Sequence, residues 1–153
     1  MELGTIEREV YVEAVPEIVF EVVSSPDHLK QWWPDDARYE PTPGSTGEIV
    51  FGDRDAGGMA VPFTVVDARP PRSFSFRWTH PADEVAAEGN SLLVTFDLVA
   101  SGDGTRLTMT ETGFREMGWE AAVLEQQYRE HEHGWDFFLP RLAPYVASLG
   151  VRP

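Results

Sequence analysis

Hydrophobic positions along this chain keep two rhythms, and the change from one to the other falls near Gly113. Upstream the period is mostly two, as in strands with one buried face. Ile6, Arg8, Val10 and Val12 alternate with Glu7, Glu9, Tyr11 and Glu13. Met59 to Ala68 carries Val61, Phe63 and Val65 on one face, with Pro62 suggesting an edge position or a bulge. Ser73 to Thr79 presents Phe74, Phe76 and Trp78; Ser91 to Ala100 presents Leu92, Val94, Phe96 and Leu98. After the hairpin signal Ser101-Gly102-Asp103-Gly104, Thr105 to Thr112 returns with Leu107, Met109 and then Glu111 on the inward face. Shorter strands are expected at Ala37 to Glu40 and Glu48 to Phe51. A hairpin loop is expected from Gly52 to Gly58 and a polar loop from His80 to Asn90.

Helical signals flank this meander. Pro16 suits a first turn, and Val19, Phe20 and Val23 form a short stripe over Glu17 to Val23. Ser25 and Pro26 open a second short helix with Leu29, Trp32 and Trp33, which Pro34 stops. From Glu120 to Leu149 the spacing is helical. Leu124, Tyr128, His131, Trp135, Phe138, Leu142, Tyr145 and Leu149 make one stripe, opposite Glu125, Arg129, Glu130, Glu132, Asp136 and Arg141. Such a helix is about 40 Å long and needs a broad apolar surface to lie on. Pro140 and Pro144 predict a kink near Asp136 to Pro140. Gly134 is costly in mid-helix. Close packing against a strand is the preferred explanation, and room for a ligand beside Trp135 the alternative.

The order strand, two short helices, meander and long helix predicts an α+β fold. A curved antiparallel sheet of about six or seven strands would grip the C-terminal helix, with two short helices after strand 1. A length of 153 residues suits a single domain, residues 1–153. Hydrophobic residues at 42% suffice for a packed core and exclude a disordered chain.

A net charge of −14, with Lys30 the only lysine, argues against nucleic acid and against an anionic membrane surface. The absence of cysteine excludes disulfides and thiolate chemistry. With no signal-peptide pattern at Met1 to Thr5, a cytoplasmic protein is expected. Acidity opposes indiscriminate association, while a free sheet edge invites pairing, so a monomer or weak homodimer is expected.

The candidate chemistry gathers on the inward faces. Trp32, Trp33, Phe63, Phe76, Trp78, Trp135 and Phe138 are core rings that also suit the lining of an apolar pocket. Glu111 shares their side of the sheet. A carboxylate there must be paired, hydrogen-bonded or protonated; were it unpaired, Glu111→Gln would stabilise the protein near neutral pH. His131 lies on the helical stripe, and Glu111 and His131 are the candidates for an acid or base. His131 and His133 point to different sides of the helix, so they do not share a metal. His28 and His80 are expected to be solvated. No metal motif, phosphate loop or cofactor signature is present, and Asp53 and Asp55 lack the rest of a calcium loop.

Several strings, taken in order, resemble a known family. They are Val10-Tyr11-Val12 with Ala14, Pro16 and Val19-Phe20; Trp32-Trp33 after Pro26-Asp27-His28-Leu29; Gly47-Glu48-Ile49; and Pro70-Pro71-Arg72 before Phe76-Arg77-Trp78. Val94-Thr95-Phe96, Gly104-Thr105-Arg106-Leu107-Thr108 and Gly134-Trp135 with Phe138-Leu139 follow. Together they resemble the START-related SRPBCC superfamily, in its branch of activators of heat-shock-protein ATPase homologues. The resemblance implies a helix-grip fold with an apolar cavity between helix and sheet. Carriers, cyclases and co-chaperones share that fold. A soluble binding protein for a small hydrophobic ligand is the first expectation, with a cyclase-like enzyme using Glu111 or His131 and a co-chaperone-like module with a protein partner as alternatives.

Overall fold

A computed structural model describes residues 3–53 and 56–150; Asp55 of the expected hairpin loop and the chain start at Met1 lie outside them. β1 (Thr5–Val12) leads into α1 (Pro16–Ser24) and α2 (Pro26–Trp32). The meander follows as β2 (Asp36–Arg38), β3 (Thr46–Phe51), β4 (Met59–Arg69), β5 (Ser73–Trp78), β6 (Leu92–Ser101) and β7 (Gly104–Thr112). Then come α3 (Ala121–Phe138), a 3-10 turn over Leu139–Arg141 and α4 (Leu142–Ser148). The sheet is antiparallel and open, in the order β1-β7-β6-β5-β4-β3-β2, so β1 returns to pair with β7. This is the α+β helix-grip architecture.

Alternation places the inward rows as the sequence predicts. Phe63, Phe74, Phe76, Phe96, Leu107 and Met109 are all fully buried. Pro62 departs from expectation, because β4 lies inside the sheet between β3 and β5. The register irregularity falls farther on, between Val65 and Asp67, and turns Val66 outward. α1 packs on β5, β6 and β7, and α2 on β2 and α4; Pro16 and Pro26 occupy their first turns, and Ser25 caps α2 without a side-chain hydrogen bond.

The two halves of the C-terminal helix lie out of phase. Up to Trp135 the buried positions follow the expected stripe, through Tyr128 and Trp135. The 3-10 turn at Pro140 advances the helix by three residues per turn instead of 3.6, and the buried set becomes Leu139, Leu142 and Val146. Phe138 and Tyr145 are therefore only half-buried and Leu149 is exposed. The polar side of α3 is also less solvated than its composition suggests. Arg8, inward on β1, reaches it with Nε 2.7 Å from Asp136 Oδ1 and Nη2 3.3 Å from Glu132 Oε2. The hydrogen bond to Asp136 is the main reason the Arg8 guanidinium is held above its ordinary pKa. The helix is thus tied to the sheet edge by charge as well as by rings.

Gly47 marks the tightest strand contact. A side chain there would fall on the Arg38 carbonyl oxygen and within 2.8 Å of Tyr39 Cβ. Gly47→Ala should therefore push β2 off β3 and cost about 1–3 kcal/mol, read as a lower urea midpoint. An unchanged midpoint would show that β2 moves aside freely.

Candidate functional site

The centre of the helix–sheet interface is a carboxylate. Glu111 lies on β7 between Ile6 of β1 and Val94 of β6, and it is fully buried. Trp78, two strands away on β5, donates its indole N–H to Glu111 Oε2 at 2.7 Å. Trp135, on α3, donates to Oε1 at 2.8 Å. His131, one helical turn earlier, places Nδ1 3.0 Å from Oε1 and 3.1 Å from Oε2. An indole N–H can only donate, so Glu111 is the acceptor in both tryptophan contacts. An ionised carboxylate offers about four lone-pair directions, enough for these two donors and a third. The His131 proton is assigned to Nδ1 on that ground, from the acceptor it faces. Three N–H groups from two layers thus converge on one buried carboxylate and meet its need for partners.

The rings that deliver these donors are themselves packed. Trp33 follows α2 and sits at the hub, with ring centroids 4.8 Å from Trp135, 5.1 Å from Trp78 and 5.7 Å from Phe76. His131 meets Trp78 and Phe114 edge-on at 5.2 and 5.4 Å. Most of the wedge between helix and sheet is therefore filled by side chains.

What remains open is a cavity of about 180 Å³ bordered by Trp33, Phe51, Trp78, His131, Trp135 and Phe138, with Glu130 and Gly134 at its helical side. A second hollow of about 490 Å³ adjoins it along Phe51, Trp78, Glu130 and His131, and continues to Met59, Val61, Pro62, Thr79 and Gln127. The two form one groove between α3 and strands β3 to β5.

Gly134 borders the inner cavity, and a methyl group placed on it would meet nothing within 4 Å outside its own helix. The expected close packing against a strand is thus absent, and Gly134 borders the inner cavity together with Trp135. At the outer hollow, Thr79 holds a positive φ of 67°, unusual for a β-branched residue. Its buried hydroxyl has no partner among the described residues.

Of the residues picked out in the sequence, Trp33, Trp78, His131, Trp135 and Phe138 border the inner cavity, and Glu111 lies behind them. Trp32, Phe63 and Phe76 are fully buried and border neither hollow; the Trp32 indole donates to the Val22 carbonyl at 3.3 Å. They are core. Phe51, at the end of β3 with the inward parity of Ile49, borders both hollows as well. His80 is buried rather than solvated, with Nε2 3.1 Å from Thr64 Oγ1, because Thr64 on β4 faces the start of its loop. His28 is half-buried and its Nδ1 lies 2.7 Å from the Tyr145 hydroxyl of α4. No cluster of three or more metal-ligating side chains exists among the described residues. No helix among them is long and apolar enough to cross a membrane.

Residues 13–147 match the family of activator of Hsp90 ATPase homolog 1-like proteins. The chain belongs to that family. Its fold is shared with the crystal structure of MLL2253 from Mesorhizobium loti, at 21% identity and TM-score 0.75 over 94% of this chain and 97% of that one. It is shared too with the solution structure of the Aha1 dimer from Colwellia psychrerythraea, at 20% identity and TM-score 0.72 over 93% and 95%. DynU16, a protein in the dynemicin biosynthetic locus, aligns over 94% of this chain and 47% of its own, at 24% identity and TM-score 0.70. No curated protein matches. These likenesses establish the family fold, which is consistent with a ligand-binding domain.

The three donors reverse the expected effect of amidation. In Glu111→Gln one acceptor oxygen becomes an NH₂ group that faces an indole or imidazole N–H. The variant should lose about 1–3 kcal/mol at pH 7 in urea unfolding, whereas an unpaired carboxylate would make it more stable.

Proposed function

We propose that this protein binds a small, flat, largely apolar molecule in the groove between α3 and the sheet. The observation that carries the reading is Gly134. In mid-helix, glycine costs about 1 kcal/mol relative to alanine, and here no neighbour demands the missing side chain. The omission keeps a space open beside Trp135.

The dimensions limit the ligand. An apolar cavity of about 150 Å³ holds one benzene, so the inner space of about 180 Å³ accepts one ring. The rest of the molecule would lie in the outer hollow against Phe51, Met59 and Val61. Rings on both sides suit a planar occupant, which gains burial without needing many polar contacts.

Gly134→Ala and Gly134→Leu separate fold from function. Alanine should raise stability by about 1 kcal/mol. Leucine should fold but occupy the cavity, weakening saturable quenching of tryptophan emission by bicyclic aromatic probes at least tenfold. If the unsubstituted protein binds no such probe below about 100 μM, equivalent to about −5.5 kcal/mol, the binding reading fails.

A further inference from the structure

We propose that His131 Nε2 is the recognition atom of this groove, a fixed hydrogen-bond acceptor, and that the ligand carries a neutral ring hydroxyl, a phenol or enol, to meet it. The inference rests on the reading of the groove as a binding site and adds the polar half of the ligand.

The other nitrogen of the ring is already engaged. Nδ1 is committed to both oxygens of Glu111, at 3.0 and 3.1 Å. The carboxylate cannot turn away from it, because the indoles of Trp78 and Trp135 hold its two oxygens at 2.7 and 2.8 Å. The imidazole ring is fixed in plane by that contact and on its edges by Trp78 and Phe114. In the neutral ring, a proton on Nδ1 leaves Nε2 with a bare lone pair. Nε2 has no partner among the described residues, yet it is not buried, and His131 borders both hollows.

The surrounding charge narrows the partner. Neither hollow is bordered by Arg or Lys among the described residues; Glu130 lines both, and Glu111 stands behind them. A ligand carboxylate would meet this field without a counter-charge, and at a net charge of −14 the approach is unfavourable as well. An ether or ketone brings only lone pairs to a lone pair. A ring hydroxyl supplies the proton that Nε2 lacks and adds no charge, and it leaves the apolar ring among Trp33, Phe51 and Phe138. Sites built around one polar contact reject analogues lacking its partner, because the buried group is then left unpaired.

Two measurements on the whole protein test this. The first is nitrogen-15 NMR of the imidazole at pH 7.5 without ligand, expected to show His131 protonated on Nδ1 and bare on Nε2. A ring protonated on Nε2, alone or as imidazolium, overturns the proposal whatever binds. The second is calorimetric titration with 2-naphthol, 2-methoxynaphthalene and 2-naphthoate. Naphthol is expected to bind at least tenfold more tightly than either analogue, and His131→Phe to abolish the preference for naphthol over the ether. Equal binding of naphthol and ether refutes the acceptor role and leaves the groove reading standing. Stronger binding of naphthoate refutes it as well. Binding of none of the three refutes the groove reading, and the proposal with it.

Discussion

A buried carboxylate in an apolar interface is expensive unless polar hydrogens are brought to it, and the geometry of this protein depends on how Glu111 obtains them. It takes one N–H from the sheet and two from the helix. Each donor sits on a large ring, so satisfying the charge also fixes where the rings lie. Trp78 must lean across β6 to reach β7, and Trp135 must face down from α3. The position of α3 over the sheet is therefore specified by directional contacts as well as by burial, which alone tolerates sliding.

The groove follows from the same constraint. Rings oriented toward Glu111 cannot also close the wedge toward β3 and β4, and Trp33 fills only the part nearest α2. Gly134 keeps the remainder open from the helical side, and Phe51 and Phe138 form its lips. Arg8, bound to Asp136 and Glu132, ties α3 to β1. That leaves the opposite flank, beside β3 and β4, as the side on which the interface opens. Thr79, with its positive φ and unpartnered hydroxyl, stands at that opening. Local strain and incomplete hydrogen bonding gather where the core stops and the hollow starts, as they do at functional sites.

Period-two and helical spacing were enough to read the sheet, the grip of the helix and the inward parity of Glu111 from the sequence. Which rings meet Glu111 was not legible. Trp78 and Glu111 lie on strands separated by β6, so their contact depends on sheet curvature and side-chain length, which spacing does not encode. Pro140 announced a disturbance, but the stripe through Tyr145 and Leu149 ignored the phase slip that a 3-10 turn imposes, and Leu139 and Val146 were missed. His80 looked solvated because its loop is polar, yet the Thr64 hydroxyl on β4 and the Pro81 carbonyl hold its two ring nitrogens. Gly134 was ambiguous in principle: a missing side chain reads the same whether the space is taken by a neighbour or left empty, and only the packed structure tells the two apart.

Glu111 holds both Trp78 and Trp135 in the native state. The direct measurement is hydrogen exchange at the indole nitrogens, resolved by proton–nitrogen NMR. These two N–H groups are expected to exchange only through global unfolding, far more slowly than that of the half-buried Trp119. Exchange of either at the rate of Trp119 would contradict it, since a donor clamped on a buried carboxylate cannot reach solvent while the helix stays in place.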